Sequence, residues 1–403
     1  MEYNFFVASN LFEEVTVMKL SDRILQIKPS ATLSISGKAK QMKAEGKPVI
    51  SFSVGEPDFA TPQAGALAGI EAIKRGESHY TLTSGIAELR KEICSYYKNR
   101  FGLDYAADEV TVASGAKPLL YEAMQALVNP GDEVILFAPA WVSYVEQLHL
   151  AGGKEVLVDT MKTDFVPDID AFEAAITDKT VGIIFNSPNN PTGAMLDETT
   201  QKRIAEVAKK HDLWIISDEI YERLSYGKNH VNILQAAPDV RDRTVIINGA
   251  SKAYAMTGWR VGWALGPKEI ISKINSLQGH LTSNACSVAQ WAALGALRGA
   301  EDDVEKMRQA FAERRETILK LIRDMPYLKI TEPEGAFYAF ANIQDCPVPD
   351  DMEFCARLLE KKYVAAVPGT AFFAPGYIRI SYASSMENIV EGMKRLKEFL
   401  ESL

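Results

Sequence analysis

The segment TVIINGASKAYAMTGWR, residues 244–260, decides the fold class. It begins with a continuous apolar run rich in Val and Ile and then changes to small and polar residues, among them Ser251, Lys252 and Arg260. Continuous rather than alternating apolar runs are typical of strands buried on both faces, as in a parallel sheet covered by helices. The segment therefore predicts a central parallel strand that leads directly into a polar turn.

The same pattern recurs upstream, where short apolar runs alternate with helical stretches. Four such runs lie before the segment 244–260: EVTVAS 109–114, EVILFAP 133–139, VGIIFNS 181–187 and LWIISDE 213–219. Strands that alternate with helices predict an α/β domain with a large, doubly wound and mostly parallel sheet. We assign this large domain to residues 50–300.

After residue 300 the pattern changes to that of a smaller α+β domain, assigned to residues 301–403. We predict that residues 18–49 pack against it. Its predicted elements are a charged helix 301–324, strands YLKIT 327–331, GAFYAFANI 335–343 and YIRISYA 377–383, and helices 352–362 and 386–402.

Composition narrows the function classes. A formal net charge of −9 and a sequence pI near 5.3 give no electrostatic reason to expect a nucleic-acid or membrane partner. Residues 1–17 contain no Lys or Arg, so they lack the positive region of a secretory signal, and we interpret them as an extra, unstructured extension before a start at Met18. The four cysteines form no CxxC pair and the histidines no HExxH motif, so we expect free thiols, no metal site and a cytoplasmic location.

Three polar residues follow the ends of consecutive predicted strands. Asn190 lies in the loop SPNNPTG, Asp218 in DEIY, and Lys252 in the opening segment. Their separations are close to the roughly 30 residues of one βαβ unit. Ligands of open α/β sheets bind outside the carboxyl ends of the strands, so we expect these side chains to meet in one crevice.

Such a set suits an aromatic cofactor that carries an aldehyde. A lysine in an apolar crevice favours its neutral amine, which can form a Schiff base with a carbonyl. A buried aspartate needs a cationic partner, and a protonated pyridine nitrogen is one. Tyr221 and Asn190 are suitable donors to a phenolic oxygen on the same ring.

The sequence also predicts an anion site and a carboxylate site. Gly115 and Ala116 stand where a helix begins after a strand, so their backbone N–H groups can bind a phosphate, with help from Ser251 and Arg260. Trp141, just after the strand at 133–139, could stack on the ring. In the strand 377–383 the alternation places Arg379 on the opposite face from the isoleucines, where its fork of donors suits a carboxylate.

These motifs together are highly specific, and the sequence resembles the class I aminotransferases of pyridoxal-phosphate (PLP) fold type I over residues 19–402. Within that family it is most similar to the bacterial aspartate aminotransferase subgroup. The matching stretches are KPSAT 28–32, GEPDF 55–59, HYTLTSGIAELR 79–90, PAWVSY 139–144, NSPNNPTG 186–193, SDEIY 217–221, SKAYAMTGWRVG 251–262 and YIRIS 377–381.

The resemblance implies pyridoxal 5'-phosphate as cofactor and a role for each matching residue. Lys252 is the cofactor lysine and proton shuttle, Asp218 pairs with the pyridinium, and Tyr221 and Asn190 contact the phenolic oxygen. Ser251 and Arg260 bind the phosphate. Arg379 binds the substrate α-carboxylate, with Gly55 and Asn190 near it.

The resemblance also implies a homodimer and a substrate class. Tyr80 matches a tyrosine that reaches the phosphate of the neighbouring subunit. Lys117 matches a lysine that can contact the distal group of a dicarboxylate, so aspartate and glutamate are the expected substrates of a ping-pong amino transfer.

Other functions remain open at this stage. The same residues fit an aminotransferase for prephenate or aromatic substrates, and a PLP-dependent lyase on the same fold. A DNA-binding regulator is disfavoured because no basic helix pair precedes the domain, and a nicotinamide dehydrogenase because no GxGxxG follows an early strand.

Overall fold

The computed structural model describes residues 19–28 and 31–403, without the side chains of residues 31–33. The extension predicted for residues 1–17, and Met18, lie outside the described residues. The strands are β1 Ile50–Ser51, β2 Val110–Ala113, β3 Glu133–Ala138, β4 Lys154–Asp159, β5 Thr180–Asn186, β6 Trp214–Asp218, β7 Thr244–Gly249, β8 Gly262–Leu265, β9 Lys329–Ile330, β10 Tyr338–Asn342, β11 Val364–Ala365, β12 Val367–Pro368 and β13 Tyr377–Ser381. The helices are α1 Asp22–Leu25, α2 Ala31–Ala44, α3 Gln63–Lys74, α4 Ala87–Phe101, α5 Ala116–Leu127, α6 Val142–Ala151, α7 Ile169–Ala174, α8 Glu198–Lys210, α9 Ile233–Ala236, α10 Ala250–Ala253, α11 Lys268–Leu281, α12 Ser287–Gly299, α13 Glu301–Arg323, α14 Asp351–Lys362 and α15 Met386–Leu400.

A seven-stranded sheet forms the centre of the fold, in the order β2-β8-β7-β6-β5-β3-β4. Its neighbours pair in parallel except at β8, which is antiparallel to both β2 and β7. This confirms the predicted α/β class with a mostly parallel sheet. Two strands of this sheet were not predicted: β8, a short strand that directly follows the segment 244–260, and β4, an edge strand whose polar residues hide the apolar pattern.

Both faces of the sheet are buried, which explains the continuous apolar runs. Ile215 and Ile246 pack into one layer with α4, α8 and α12, whereas Ile216 and Ile247 pack into the other with α5, α6 and α11. Successive side chains of a strand point to opposite faces, so each strand must be apolar along its length.

The C-terminal part of the chain forms a second, antiparallel sheet of four strands in the order β12-β13-β10-β9. The predicted elements are present, although β9, β10 and β13 are shorter than expected. β1, at the start of the predicted large domain, pairs in parallel with β11 of this region, and α2 packs on β11 and β12. Within the described residues, no helix combines the length and apolar character needed to cross a bilayer.

Candidate active site

A cleft opens at the carboxyl ends of the parallel strands, between the large sheet and the second sheet. Its cavity volume is about 410 Å³, which is within the range of small-molecule sites. Eleven of the predicted site residues line it: Gly55, Ala116, Lys117, Trp141, Asn190, Asp218, Tyr221, Ser251, Lys252, Arg260 and Arg379. The crevice expected from strand spacing is therefore present.

Two predicted residues lie outside the lining. Gly115 is directly behind it, at the N-terminus of α5. Tyr80 is 86% exposed and does not line the cleft of its own chain. The contact of Tyr80 with a neighbouring subunit's phosphate stays a prediction.

Lys252 follows β7 and lies on the short helix α10. Its Nζ donates a hydrogen bond to the backbone oxygen of Gly55. Burial lowers the pKa of Lys252 to about 8, against the opposing effect of the nearby Glu56 carboxylate. Loss of solvation disfavours the ammonium form, so the neutral amine is accessible close to neutral pH.

Asp218 ends β6 and is buried. Its carboxylate accepts hydrogen bonds from the Tyr144 hydroxyl at 2.6 Å and from the backbone N–H of Ile220 at 3.1 Å. Burial raises the pKa of Asp218 to about 6, and these two hydrogen bonds oppose the rise. No Lys or Arg among the described residues forms an ion pair with it, so it is a buried acid suited to a cationic ligand atom.

The N-terminus of α5 and Arg260 together form an anion site. Gly115 has φ of 103°, and a Cβ there would collide with the Arg260 guanidinium. A Cβ on Gly262 would likewise collide with the backbone nitrogen of Ala116. The close approach places a guanidinium beside the free N–H groups of a helix end, which favours a phosphate.

Arg379 projects from β13 and is 3% exposed. Its Nη1 donates to Asn190 Oδ1 at 2.8 Å and its Nη2 to the Ser53 carbonyl at 3.0 Å. Its Nε has no hydrogen-bond partner among the described residues. A fixed guanidinium with unused donors is suited to bind a carboxylate in the cleft.

Two neutral donors stand between these charged groups. The Tyr221 hydroxyl contacts the Tyr338 hydroxyl at 2.9 Å, and burial raises the pKa of Tyr221 well above its ordinary value. Tyr221 is therefore a neutral hydroxyl. Because Asn190 Oδ1 accepts from Arg379, its amide Nδ2 remains as the donor.

Lys117 lies on α5 with its Nζ 4.7 Å from the centre of the Trp141 ring. Burial lowers the pKa of Lys117, and the positive charge of Arg260 lowers it further. Lys117 directly follows Ala116 at the N-terminus of α5, which is part of the anion site.

Sequence reasoning missed several residues of the cleft. Tyr144 and Tyr338 bond to predicted residues, and Glu56 accepts from Thr257 at 2.8 Å. Glu56 could have been found, since it is next to Gly55 in the GEPDF motif. Tyr338 could not, because β10 reads as an ordinary apolar strand. The other missed lining residues include Ser36, Lys40, Ser53 and Asn186.

We predict that Tyr144→Phe raises the pKa of Asp218 above about 6, because the mutation removes a hydrogen bond to the charged form. Such bonds contribute roughly 1.5–3 kcal/mol, which corresponds to about one to two pH units. The carboxylate exists only above its pKa, so the pH below which a cationic ligand stops binding at Asp218 should be higher in the variant. Binding titrations between pH 5 and 8 on the wild type and on Tyr144→Phe would measure this, and the same pH dependence in both proteins would contradict it.

Comparisons with known proteins agree with this geometry. The family model "Aminotransferase class I and II" matches residues 47–396. The aspartate aminotransferase of Bacillus subtilis is 43% identical over 390 residues, covering 95% of this chain and 99% of that protein. The aspartate/prephenate aminotransferase of Cereibacter sphaeroides is 41% identical, covering 95% of this chain and 99% of that protein.

Solved structures give the same result. The aspartate aminotransferase of Thermus thermophilus with maleate superposes with a TM-score of 0.92 at 39% identity, covering 95% of this chain and 100% of that chain. The resemblance inferred from the motifs is confirmed. The chain therefore belongs to the class I and II aminotransferase family and is a PLP-dependent transaminase.

Proposed function

We propose that this chain transfers the amino group of aspartate or glutamate to a 2-oxo acid by a ping-pong reaction, with pyridoxal 5'-phosphate held in the cleft. The observation that carries the proposal is the convergence of Lys252, Asp218, Arg260 and Arg379 on one cleft. A reactive amine, a buried acid, an anion site and a carboxylate site are the groups that this chemistry needs.

The residues of the cleft fit the cofactor at three points. Asp218 would hold the pyridine nitrogen, since it is a buried carboxylate without an ion-pair partner among the described residues. Arg260, Ser251 and the backbone near Gly115 and Ala116 would hold the phosphate. Tyr221 and Asn190 Nδ2 would donate to the phenolic oxygen, and Trp141 would cover the ring.

The bound cofactor supplies an electron sink that makes the α-proton of an amino acid acidic. The protein residues do the rest. Arg379 fixes the α-carboxylate and so orients the Cα–H bond. Lys252, with a pKa of about 8, takes up that proton at Nζ and holds it for return.

Aspartate and glutamate are the proposed amino donors, supported by Lys117 in the cleft and by relatives whose names include aspartate. The Thermus structure carries maleate, a dicarboxylate. The prephenate or aromatic alternative and the lyase alternative are not favoured, since the Bacillus and Cereibacter relatives are both named as aminotransferases and both names include aspartate, the Cereibacter name together with prephenate.

The test is to mix the cofactor-loaded protein with aspartate alone and then with 2-oxoglutarate. We expect aspartate to change the cofactor absorbance in one stoichiometric half-reaction, and 2-oxoglutarate to reverse it. Product release from aspartate without any oxo acid, turnover after turnover, would indicate a lyase. An unchanged spectrum would overturn the aspartate assignment.

We further propose a homodimer in which Tyr80 contacts the partner subunit's phosphate. Support comes from exposed apolar residues near one another on α3, namely Leu67, Ile70 and Ile73, and from the exposed Tyr80 ring. Apolar side chains at three-residue spacing share one helix face, and such patches are typical of interfaces.

Tyr80→Phe should weaken cofactor binding by at least about 10-fold, the effect of one lost hydrogen bond to a charged group. Assembly should not change, because the ring remains. Cofactor titration and sedimentation velocity would measure the two effects, with Tyr327→Phe, another exposed tyrosine, as the control. A monomeric wild-type protein would contradict the dimer, and unchanged binding would contradict the role of Tyr80.

The division into residues 18–49, 50–300 and 301–403 is also proposed, supported by the two separate sheets. A cytoplasmic location is proposed as well. Its support is that all four cysteines are free, as is usual in reducing compartments.

A further inference from the structure

Glu56 is an acidic residue of the cleft to which the proposed mechanism gives no role. It lies between β1 and α3, directly after Gly55, and it lines the cavity. The Gly55 carbonyl accepts the hydrogen bond from Lys252 Nζ. The reactive amine therefore contacts the peptide bond that joins Gly55 to Glu56.

A second hydrogen bond holds the Glu56 side chain against the loop that carries Lys252. Thr257, which follows Lys252 in that loop, donates from Oγ1 to Glu56 Oε2 at 2.8 Å. The Thr257 carbonyl in turn accepts from Arg260 Nη1 at 2.9 Å. Glu56 is thus attached to the Lys252 loop through the Gly55 carbonyl and through its own carboxylate, which fixes a negative charge beside the amine.

The two carboxylates that line the cleft, Glu56 and Asp218, differ in whether their charge is already matched. Asp218 would hold the pyridine nitrogen, so the cofactor neutralises its charge. Glu56 forms no ion pair with any described Lys, Arg or His, whereas Asp58 of the same GEPDF motif pairs with Arg314 at 2.6 Å. The negative charge of Glu56 therefore remains available to the amine.

Lys252 needs such a charge when it takes up a proton. Burial lowers the pKa of Lys252, and the positive charges of Arg379 and Arg260 lower it further. Glu56 raises this pKa, more strongly than Asp218 does. The charged residues of the lining around Lys252 are Lys40, Glu56, Lys117, Asp218, Arg260 and Arg379. Because most of them are cations, the ammonium form depends on Glu56.

We propose that Glu56 is a positioning residue that stabilises the ammonium form of Lys252 while Lys252 holds the proton taken from the substrate. This inference rests on the proposed function and adds a residue to its proton transfer. The Cα–H bond of the substrate breaks, an N–H bond forms at Lys252 Nζ, and the electron pair passes into the electron sink that the cofactor supplies. Glu56 takes no proton and keeps its charge throughout.

The first test measures the pKa of Lys252 in the full-length protein freed of cofactor. Acetic anhydride acetylates only the neutral amine, so the pH midpoint of acetylation, followed by mass spectrometry of the Lys252 peptide, gives this pKa. Glu56→Gln should lower the midpoint from about 8 by about one unit, the effect of one lost opposite charge. Glutamine can still accept from Thr257, so the substitution removes the charge and keeps the contact.

Two controls separate charge from local structure. Glu56→Asp keeps the charge and should lower the midpoint less than Glu56→Gln. Asp58→Asn neutralises a carboxylate that Arg314 already pairs, and it should leave the midpoint unchanged. The shift in Glu56→Gln should shrink as salt is raised, because Glu56 is exposed and exposed charges are screened. An unmoved midpoint in Glu56→Gln, or the same shift in Asp58→Asn, would overturn the inference.

The second test follows the half-reaction of the cofactor-loaded protein with aspartate. Glu56→Gln should slow it about threefold, the loss expected for a base weaker by about one pKa unit at a Brønsted coefficient of about 0.5. The isotope effect with Cα-deuterated aspartate should be at least as large as in the wild type, because proton transfer is the slowed step. Asp58→Asn should react at the wild-type rate.

The two tests separate this inference from the proposed function. If the wild type converts aspartate and Glu56→Gln reacts as fast, with or without a shifted midpoint, the Glu56 inference alone is wrong. If the midpoint shifts in Glu56→Gln but the wild type does not convert aspartate, the proposed function is wrong while the effect of Glu56 on the amine stands.

Discussion

Lys252→Ala should lower kcat/KM for amino transfer by about 10⁴-fold, the upper range for loss of a positioned acid–base group. The residue is buried, its pKa is lowered to about 8, and it is the amine that can exchange a proton inside the cleft. Single-turnover kinetics with aspartate, followed through the cofactor absorbance, would measure the loss.

Lys252→Arg separates proton transfer from charge. An arginine keeps the positive charge but cannot give up its proton in a protein, so this variant should be about as inactive as Lys252→Ala. Lys228→Ala, which changes an exposed lysine paired with Glu334, is the matched control and should retain full activity. Activity within tenfold of wild type in either Lys252 variant would remove Lys252 from the mechanism.

Arg379→Lys should raise KM for every amino acid by at least about 30-fold, equivalent to roughly 2 kcal/mol or more for a buried charge pair. A lysine keeps the charge but loses the planar fork, and its three N–H donors cannot bond to Asn190 and Ser53 and also bind a carboxylate through two parallel hydrogen bonds. Steady-state kinetics with aspartate, glutamate and alanine would give the values.

Two controls distinguish recognition from a folding defect. Arg357→Lys changes an exposed arginine of α14 that pairs with Glu353, and it should leave KM unchanged. The slow reaction of the cofactor-loaded protein with methylamine, which has no carboxylate, should be the same in Arg379→Lys and wild type. A KM rise confined to dicarboxylates would assign Arg379 to the distal group instead.

Local sequence was sufficient for five of the seven strands of the large sheet and for the residues that follow them. Val- and Ile-rich runs predicted β5, β6 and β7, and the polar residues after them had to share one edge because parallel strands end together. Asn190, Asp218 and Lys252 were found in this way. The edge strand β4 was missed because half of its side chains face solvent, so no continuous apolar run marks it.

Contacts between distant segments could not be read from the sequence. Tyr144 bonds to Asp218 across 74 positions and Arg379 to Ser53 across 326. Neither pair has a local pattern, since a hydroxyl on a helix and a carbonyl in a loop look the same whether or not they meet a partner. The lowered pKa of Lys252 and the raised pKa of Asp218 likewise depend on burial by other segments.

The sequence by itself determined the sheet, the edge at which the site lies and the family of the protein, because these follow from periodicity and from short motifs along one chain. Only the tertiary structure decided which hydrogen bonds orient the buried charges and how burial shifts the pKa values of Lys252 and Asp218. Those properties depend on distances and solvation, which are set when remote segments pack against each other.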